Sequence, residues 1–384
     1  MSAVCLNCAF KGSSTLRSSS EYILTPMSDG SLVENFNATQ YLCRNCSCIF
    51  IEYYPEDRLK KYFSDEYNVS DVVQNCQVVI DNQNRPKHSI IHTNFLNEVS
   101  SIKRNGHMLE IACGEGSLTR KFASHHKGWE CIAIDPSDNA NADYIESNIT
   151  FIRDFFSPDL IGDTRFDVVV AHGILNRTPP LTLLDQITKV ANEDCLVSLE
   201  IVVLEDSTYA PFIWDHSFTF LKQTFVDYFE AAGLTLINEY DCGSTIQFVC
   251  RYNASKKGCF TGNIDGERYK QTINKYNEHI SHWRDIKDLF NIYVDTYNNK
   301  KLALFGAGLY SAVLTHLIDL GSLTYIVDEV RYGATFLDKS VIDFNQIDEQ
   351  KENVVFLLCC RKRNLGYIQK KILAHKFKVK PLLI

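Results

Sequence analysis

Two rhythms of apolar and polar positions run along this chain. Short apolar runs punctuate residues 109–250, and between most of them apolar residues recur at spacings of three and four. The first rhythm predicts buried strands and the second amphipathic helices. A helix is expected over Ile90–Val99. A strand follows at Leu109-Glu110-Ile111-Ala112, then a glycine turn at Cys113-Gly114-Glu115-Gly116, then a helix from Leu118 to His126. The next strands are expected at Glu130–Ile134, Ile149–Ile152, Phe166–His172 and Cys195–Ile201, with a helix at Leu181–Ala191. The polar stretch Asp138–Ala142 offers only a weak helix. Beyond these come a helix over Leu221–Ala232 and strands over Gly233–Ile237 and Ser244–Cys250. Alternation of this kind predicts an α/β fold with a doubly wound, mostly parallel sheet.

The last third repeats the theme on a smaller scale. Tyr269, Ile273, Tyr276, Ile280, Trp283, Ile286 and Phe290 predict one long helix or two within 261–298. Lys301–Phe305 reads as a strand entering Gly306-Ala307-Gly308, with a helix from Leu309 to Leu320 and a strand over Leu323–Val327 that ends at Asp328. Further strands are expected at Val354–Leu358 and Lys380–Ile384. This is a second, smaller Rossmann-like unit. Its glycine turn suits a phosphate or pyrophosphate, and the spacing to Asp328 suits a ribose.

Composition sharpens the picture at the N-terminus. The 384 residues include fourteen cysteines, and Cys131, Cys195, Cys250, Cys359 and Cys360 fall inside apolar runs, as small buried hydrophobes do. Cys5-Leu6-Asn7-Cys8 and Cys43-Arg44-Asn45-Cys46 form two C-x-x-C pairs with 34 residues between them. Two such turns can supply a four-thiolate zinc site, closed to substrate and therefore structural. The polar stretch between them, with Ser18-Ser19-Ser20 and Asn35-Phe36-Asn37, offers little core, so a metal clip makes physical sense. A redox dithiol is the competing reading, and Cys48 is a spare thiol. A bridge at 49–75 carries Tyr53, Tyr54, Tyr62 and Tyr67, and Lys61–Tyr67 is either a lid or a hydrophobic flap between units.

A formal charge of −8 argues against a broad nucleic-acid surface. No apolar run is long enough to cross a membrane, and no signal-peptide pattern opens the chain, so a cytoplasmic protein acting on a small molecule is expected.

Which nucleotide the central unit holds turns on carboxylates. A dinucleotide fingerprint calls for a third glycine, and Ser117-Leu118-Thr119 lacks it. An S-adenosylmethionine site calls for an acidic residue on the strand before the turn. Glu110, Gly114, Gly116, Asp135 and Asp154 occur in the right order at strand ends. Glu110 would lie near the cationic amino end of the methionine moiety and Asp135 would take the ribose hydroxyls. Asp154 would accept from the adenine amino group and Phe155 would cover the ring, with Ala171 at the end of the fourth strand. Further on, Asp215-His216 sits among aromatic residues just before a helix. It offers an acid/base pair, but the residues alone favour a helix cap by Asp215 beside a loop histidine.

In these features the chain resembles sugar C-methyltransferases that act on deoxysugar nucleotides. The matching elements are Cys5, Cys8, Cys43 and Cys46, the Leu109–Gly116 turn, the Trp214-Asp215-His216 segment, and Phe305-Gly306-Ala307-Gly308. The resemblance implies a zinc-binding domain with its tyrosine-rich bridge (1–75), an S-adenosylmethionine-dependent methyltransferase domain (76–258), and a helical connector with a C-terminal Rossmann-like domain (259–384) that holds the nucleotide of a sugar nucleotide. It implies His216 as base with Asp215 orienting it, His172 as a second candidate, and Tyr62 or Tyr67 closing over the acceptor. The family reads Tyr-His-Glu-His where this chain has Ile213-Trp214-Asp215-His216. It reads Leu-x-His-Ile-Pro where this chain has Leu175-Asn176-Arg177-Thr178-Pro179. Arg177 cannot act as a base and would instead stabilise an enolate or hold a phosphate. O-methylation, a non-catalytic cofactor-binding protein, and an NAD oxidoreductase using the C-terminal unit are the competing functions.

Overall fold

The computed structural model describes residues 3–383 except 20–23, 29, 35, 68–76, 81–82, 101, 103–104, 138–147, 244, 263–265, 316, 319, 330, 332, 334, 337–338 and 361. The weak helix expected at Asp138–Ala142 and the first residue of the strand expected at Ser244 lie outside the described residues. Numbered in chain order, the N-terminal strands are β1 (Ala3–Val4), β2 (Lys11–Ser18), β3 (Leu24–Pro26), β4 (Leu32–Glu34), β5 (Asn37–Leu42) and β6 (Ile49–Tyr54). A hairpin of β7 (Gln77–Ile80) and β8 (Gln83–Pro86) leads to the helix Lys87–Val99.

The central sheet contains β9 (Gly106–Ile111), β10 (Trp129–Ile134), β11 (Ile149–Ile152), β12 (Phe166–His172) and β13 (Ala191–Ile201). After β14 (Phe218–Thr219) it is completed by β15 (Leu234–Asp241) and β16 (Ile246–Tyr252). Its order is β11-β10-β9-β12-β13-β16-β15. The first five strands are parallel, and β16 runs antiparallel to both neighbours. The helices Lys87–Val99 and Ser117–His125 cover one face with Phe95, Val99, Leu118 and Phe122. The helices Pro180–Val190 and Lys222–Ala231 cover the other with Leu184, Ile187, Phe225 and Phe229. The near-continuous apolar strands follow from this two-sided burial. The order reverses between β9 and β12, so the turns after these strands open a crevice at the carboxyl edge.

The N-terminal segment is richer in strand than its polar composition predicts. It forms a sheet of order β1-β2-β5-β6-β14, and the last member comes from beyond the central sheet's fifth strand. Cys5, Cys43, Cys46, Cys48 and Phe50 pack into the same core as Phe218, Phe220 and Tyr228. The Tyr228 hydroxyl donates to the Cys46 carbonyl at 3.0 Å.

Residues 261–298 form one helix, Glu267–Thr296. Tyr269, Ile273 and Tyr276 pack beside Leu42 and Ile49 of the N-terminal sheet. Trp283, Ile286 and Phe290 pack against the C-terminal unit. That unit is built from β17 (Lys301–Phe305), β18 (Tyr325–Val327), β19 (Thr335–Phe336), β20 (Lys339–Ile342), β21 (Val354–Cys360) and β22 (Lys378–Leu383). The order is β19-β20-β18-β17-β21-β22, parallel except for the edge strand β19. The helix after Gly308 is shorter than expected, Leu309–Thr315, and the unforeseen helix Lys362–Ala374 covers β21. No helix among the described residues is long and apolar enough to cross a membrane.

Tyr228→Phe deletes a buried hydrogen bond that joins the cysteine turns to the central unit. It is expected to lower stability by about 1 kcal/mol, read as a shifted midpoint in chemical denaturation. An unchanged midpoint would show that this bond does not hold the two units together.

Candidate active site

The glycine turn takes its shape from backbone conformations that side chains resist. Ala112, Gly114 and Gly116 all have positive φ, and a Cβ at Gly116 would stand 2.4 Å from the Phe151 ring. Gly116 precedes the first turn of the helix Ser117–His125. The Gly114 N–H donates to Asp135 Oδ2 at 2.8 Å, and Ser137 donates to Asp135 Oδ1 from N (2.9 Å) and Oγ (2.5 Å). Asp135 therefore holds the turn against the end of β10. Glu110 is buried and its Oε2 accepts from the Thr119 N–H at 3.0 Å and from the Thr119 hydroxyl. Burial raises its pKa to about 7, and the Thr119 contacts oppose the rise.

A cavity of about 970 Å³ opens from this turn. Glu110, Gly114, Asp135, Asp154 and Phe155 line it. Asp154 is exposed and accepts from the Phe155 N–H at 2.7 Å, while the Phe155 ring is 41% exposed, open to a ligand. Gly116 stands behind this lining against Phe151. Ala171 is completely buried in the core. His172, which faces the opposite side of the strand, reaches the cavity instead, as does Gly173 just past the strand's end.

The side of the cavity around Arg177 and His216 is assembled from three parts of the chain. Asp215 has no exposed surface. Its Oδ1 accepts from the Ser28 N–H at 2.7 Å, its Oδ2 accepts from the Ser28 hydroxyl, and Arg177 Nε lies 3.8 Å from Oδ2. Burial raises the Asp215 pKa and Arg177 counters it. Arg177 also donates through Nη2 to Tyr67 Oη (2.7 Å) and Ser28 Oγ (2.9 Å), and through Nη1 to the Gly173 carbonyl. Asp215 thus turns toward Ser28 and Arg177, and no hydrogen bond joins it to His216 among the described residues. It does not orient the imidazole as the adjacent sequence positions led one to expect. His216 lines the cavity with a buried Nδ1 that has no partner. Burial, and then Arg177, lower its pKa to about 3.

Of the two candidate tyrosines, Tyr67 lines the cavity. Tyr62 is buried behind it, edge-on to its ring at 5.8 Å. The segment expected as a lid or flap forms a π-helical turn, Tyr62–Glu66. Phe63 and Tyr67 stack beneath the Arg177 guanidinium at 5.3 and 4.9 Å.

Several cavity residues escaped the sequence reading. Lys87 donates to Glu200 at 2.8 Å, and this pair is nearly buried. Lys87 and His172 hold Glu200 down at about 2 against the effect of burial. Tyr53 donates to the Trp214 carbonyl at 2.7 Å. Glu200 had a signal: one carboxylate closing an apolar strand on the same edge as His172. Lys87 and Ser28 had none, since each depends on a long-range fold contact.

The four cysteines converge. Their sulfurs lie within 4.8 Å of one another, with Cys5–Cys46 and Cys8–Cys43 at 3.6 Å. Four ligands at tetrahedral zinc stand about 3.8 Å apart, so the spacing suits such an ion. The two turns are alike, with positive φ at Ala9 and Ser47 and closing bonds from Ala9 N to Cys5 O and from Ser47 N to Cys43 O. Asn7 and Asn45 donate to Cys46 and Cys8 sulfurs. Cys48 lies outside the cluster and faces carbonyls.

Residues 109–197 match a protein-family model described as a methyltransferase domain. No curated protein matches the chain. Among solved structures, the N-methyltransferase NodS from Bradyrhizobium japonicum is 21% identical, with 44% of this chain and 97% of that one covered at a TM-score of 0.36. The 1,6-didemethyltoxoflavin-N1-methyltransferase from Burkholderia thailandensis, solved with 1,6-didemethyltoxoflavin and S-adenosylhomocysteine, is 18% identical, covering 44% and 77% at 0.35. An O-methyltransferase family protein from the same organism is 11% identical, covering 44% and 58% at 0.35. The matched segment runs from β9 into β13, and the sheet order with its antiparallel β16 is the class I Rossmann-like arrangement.

Two outcomes follow for the donor side. Gly116→Ala forces a β-carbon toward Phe151 and strains the turn by about 1–3 kcal/mol. S-adenosylhomocysteine affinity should fall at least tenfold in titration calorimetry. For Glu110, a cationic donor favours the carboxylate, so S-adenosylmethionine binding should release a proton and weaken as pH falls below about 7. Glu110→Gln should flatten that dependence; an unaltered slope would separate Glu110 from the donor.

Proposed function

We propose that this S-adenosylmethionine-dependent methyltransferase acts on a sugar nucleotide, methylating the carbon beside a keto group of a deoxysugar. The observation that carries this reading is the continuity of one cavity. It runs from the donor turn past His216 and Arg177 to Gly308, Asp328 and Arg331 of the C-terminal unit. At about 970 Å³ it stands at the upper end of the roughly 300–1,000 Å³ of small-molecule sites. That is room for a donor together with an acceptor that reaches a second glycine turn. There Ala307 N–H donates to Asp328 Oδ2 at 2.9 Å and Arg331 Nη1 donates to the Ala307 carbonyl at 2.8 Å, arrangements that suit the nucleotide half.

S-adenosylmethionine supplies an electrophilic methyl group when bound. Glu110, Gly114, Gly116, Asp135, Asp154 and Phe155 would hold it. His216 takes the proton from the acceptor carbon. It is neutral throughout the physiological range and lines the cavity, and Nε2 rather than the sealed Nδ1 is the nitrogen that can face the acceptor. Arg177 stabilises the oxygen that gains charge, and Asp215 with Ser28 fixes the guanidinium in place. Tyr67 closes beside it, with Tyr62 packed behind. O-methylation is the second reading, favoured by the modest basicity that burial leaves to His216.

We infer further that Cys5, Cys8, Cys43 and Cys46 hold a structural zinc ion, and that the chain divides at 1–75, 76–258 and 259–384. With four thiolates the ion has no open position for substrate.

Methyl transfer from labelled donor to a panel of keto-deoxysugar nucleotides tests the acceptor. His216→Ala should lower turnover by about 10²–10⁴-fold with S-adenosylhomocysteine affinity intact. Turnover that survives this change removes His216 as base, and transfer only to hydroxyl oxygens favours O-methylation. For the metal, elemental analysis should return about one zinc per chain, and chelation should release the N-terminal sheet to proteolysis. A folded, metal-free N-terminal sheet would refute the assignment.

A further inference from the structure

We propose that His172 serves the acceptor as a neutral hydrogen-bond donor through Nδ1–H, with its tautomer set by a relay from Ile91 through Gln247 and Ser198. The inference rests on the acceptor reading of the cavity given above.

The relay can be followed donor by donor. The Ile91 carbonyl can only accept, and the Gln247 side-chain nitrogen lies 3.1 Å from it. The amide orientation is therefore fixed, and the Cys242 thiol on Gln247 Oε1 at 3.9 Å agrees with it. The same amide nitrogen lies 3.2 Å from Ser198 Oγ, so Ser198 accepts from it. The hydroxyl proton of Ser198 then goes to its other partner, His172 Nε2, at 2.9 Å. Nε2 accepts, and a neutral imidazole must carry its proton on Nδ1. Nδ1 has no hydrogen-bond partner among the described residues. It is also absent from the sealed polar atoms of the core, so it opens onto the cavity that His172 lines.

The placement suits a reacting centre. Ala171 pairs with Ile111, so His172 stands beside Ala112, where the glycine turn begins. On its other side it pairs with Glu200. Phe95 meets its ring edge-on at 6.4 Å. Burial keeps the ring neutral, with its pKa lowered to about 4; Lys87 adds to the effect and Glu200 opposes it. Gln247 and Ser198 are thus positioning residues, and Ser198 is completely buried, as is Gln247. The two histidines take opposite roles: His216 receives a proton, while His172 keeps its own and lends the N–H to an oxygen. The acceptor class this selects is one whose methylated carbon adjoins a hydrogen-bond-accepting oxygen.

Nitrogen-detected NMR of imidazole-labelled full-length protein with S-adenosylhomocysteine bound reads the tautomer directly. His172 should show a protonated Nδ1 and a bare Nε2 at neutral pH. A protonated Nε2, or an imidazolium, overturns the proposal whatever the acceptor proves to be. Ser198→Ala and Gln247→Leu should unlock the ring into a mixture of tautomers; retention of a single form in both would show that the relay does not set it. In turnover, His172→Leu should lower kcat by about 10²–10³-fold with little change in S-adenosylhomocysteine affinity. His172→Asn, whose amide keeps an N–H near the Nδ1 position, should recover at least tenfold. Equal losses in both variants overturn the donor role. The expected tautomer with no transfer to any keto sugar nucleotide refutes the acceptor reading instead.

Discussion

A carboxylate without solvent governs the side of the cavity that Arg177 and His216 line. Asp215 is fully buried, and an unpaired charge in such a place costs several kcal/mol. It is tolerated because Ser28 supplies two donors and Arg177 a cation. Ser28 follows β3, Arg177 follows β12, and Asp215 precedes β14. The contacts among these three residues tie the three segments together. The same arginine reaches on to Tyr67 and Gly173, so one ion pair also orders the aromatic turn at 62–67 and the mouth of β12.

The cavity has two electrostatic characters as a result. At one end, Glu110, Asp135 and Asp154 line it with carboxylates, which under the proposed function would hold the methyl donor. At the other end, His172 and His216 are kept neutral by burial, and the cation is Arg177. Lys87 and Glu200 stand between these ends and neutralise one another. The arrangement attracts a cation to one place and a developing negative charge to another, within a single enclosure.

Much of the central unit was legible from the sequence because two-sided burial writes itself as unbroken apolar runs. Phe166–His172 and Ile149–Ile152 begin and end where their composition changes. The N-terminal sheet was not legible. Lys11–Ser18 is largely polar, and its order comes from pairing with β1 and β5, in a sheet whose far edge is a strand some two hundred positions away. The shape of the glycine turn could be read from glycine and carboxylate spacing, since the contacts of Asp135 are confined to one βαβ unit. The acceptor side could not, because chain adjacency of Asp215 and His216 implies a partnership that their side-chain directions do not make. Ala171 and Tyr62 illustrate the same limit: each is one step of a strand, or one face of a turn, away from the lining.

The helix Glu267–Thr296 has a mechanical consequence. Its 30 residues make a rod about 45 Å long, clamped at one end by Leu42 and Ile49 and at the other by Leu302 and Leu357. His279 bonds the Leu204 carbonyl and Trp283 bonds the Thr208 carbonyl, so its midpoint is pinned to the strand-end loop that leads to Asp215. A rod gripped at both ends and pinned near its middle is a strut, and its length sets the span between the N-terminal sheet and the C-terminal sheet.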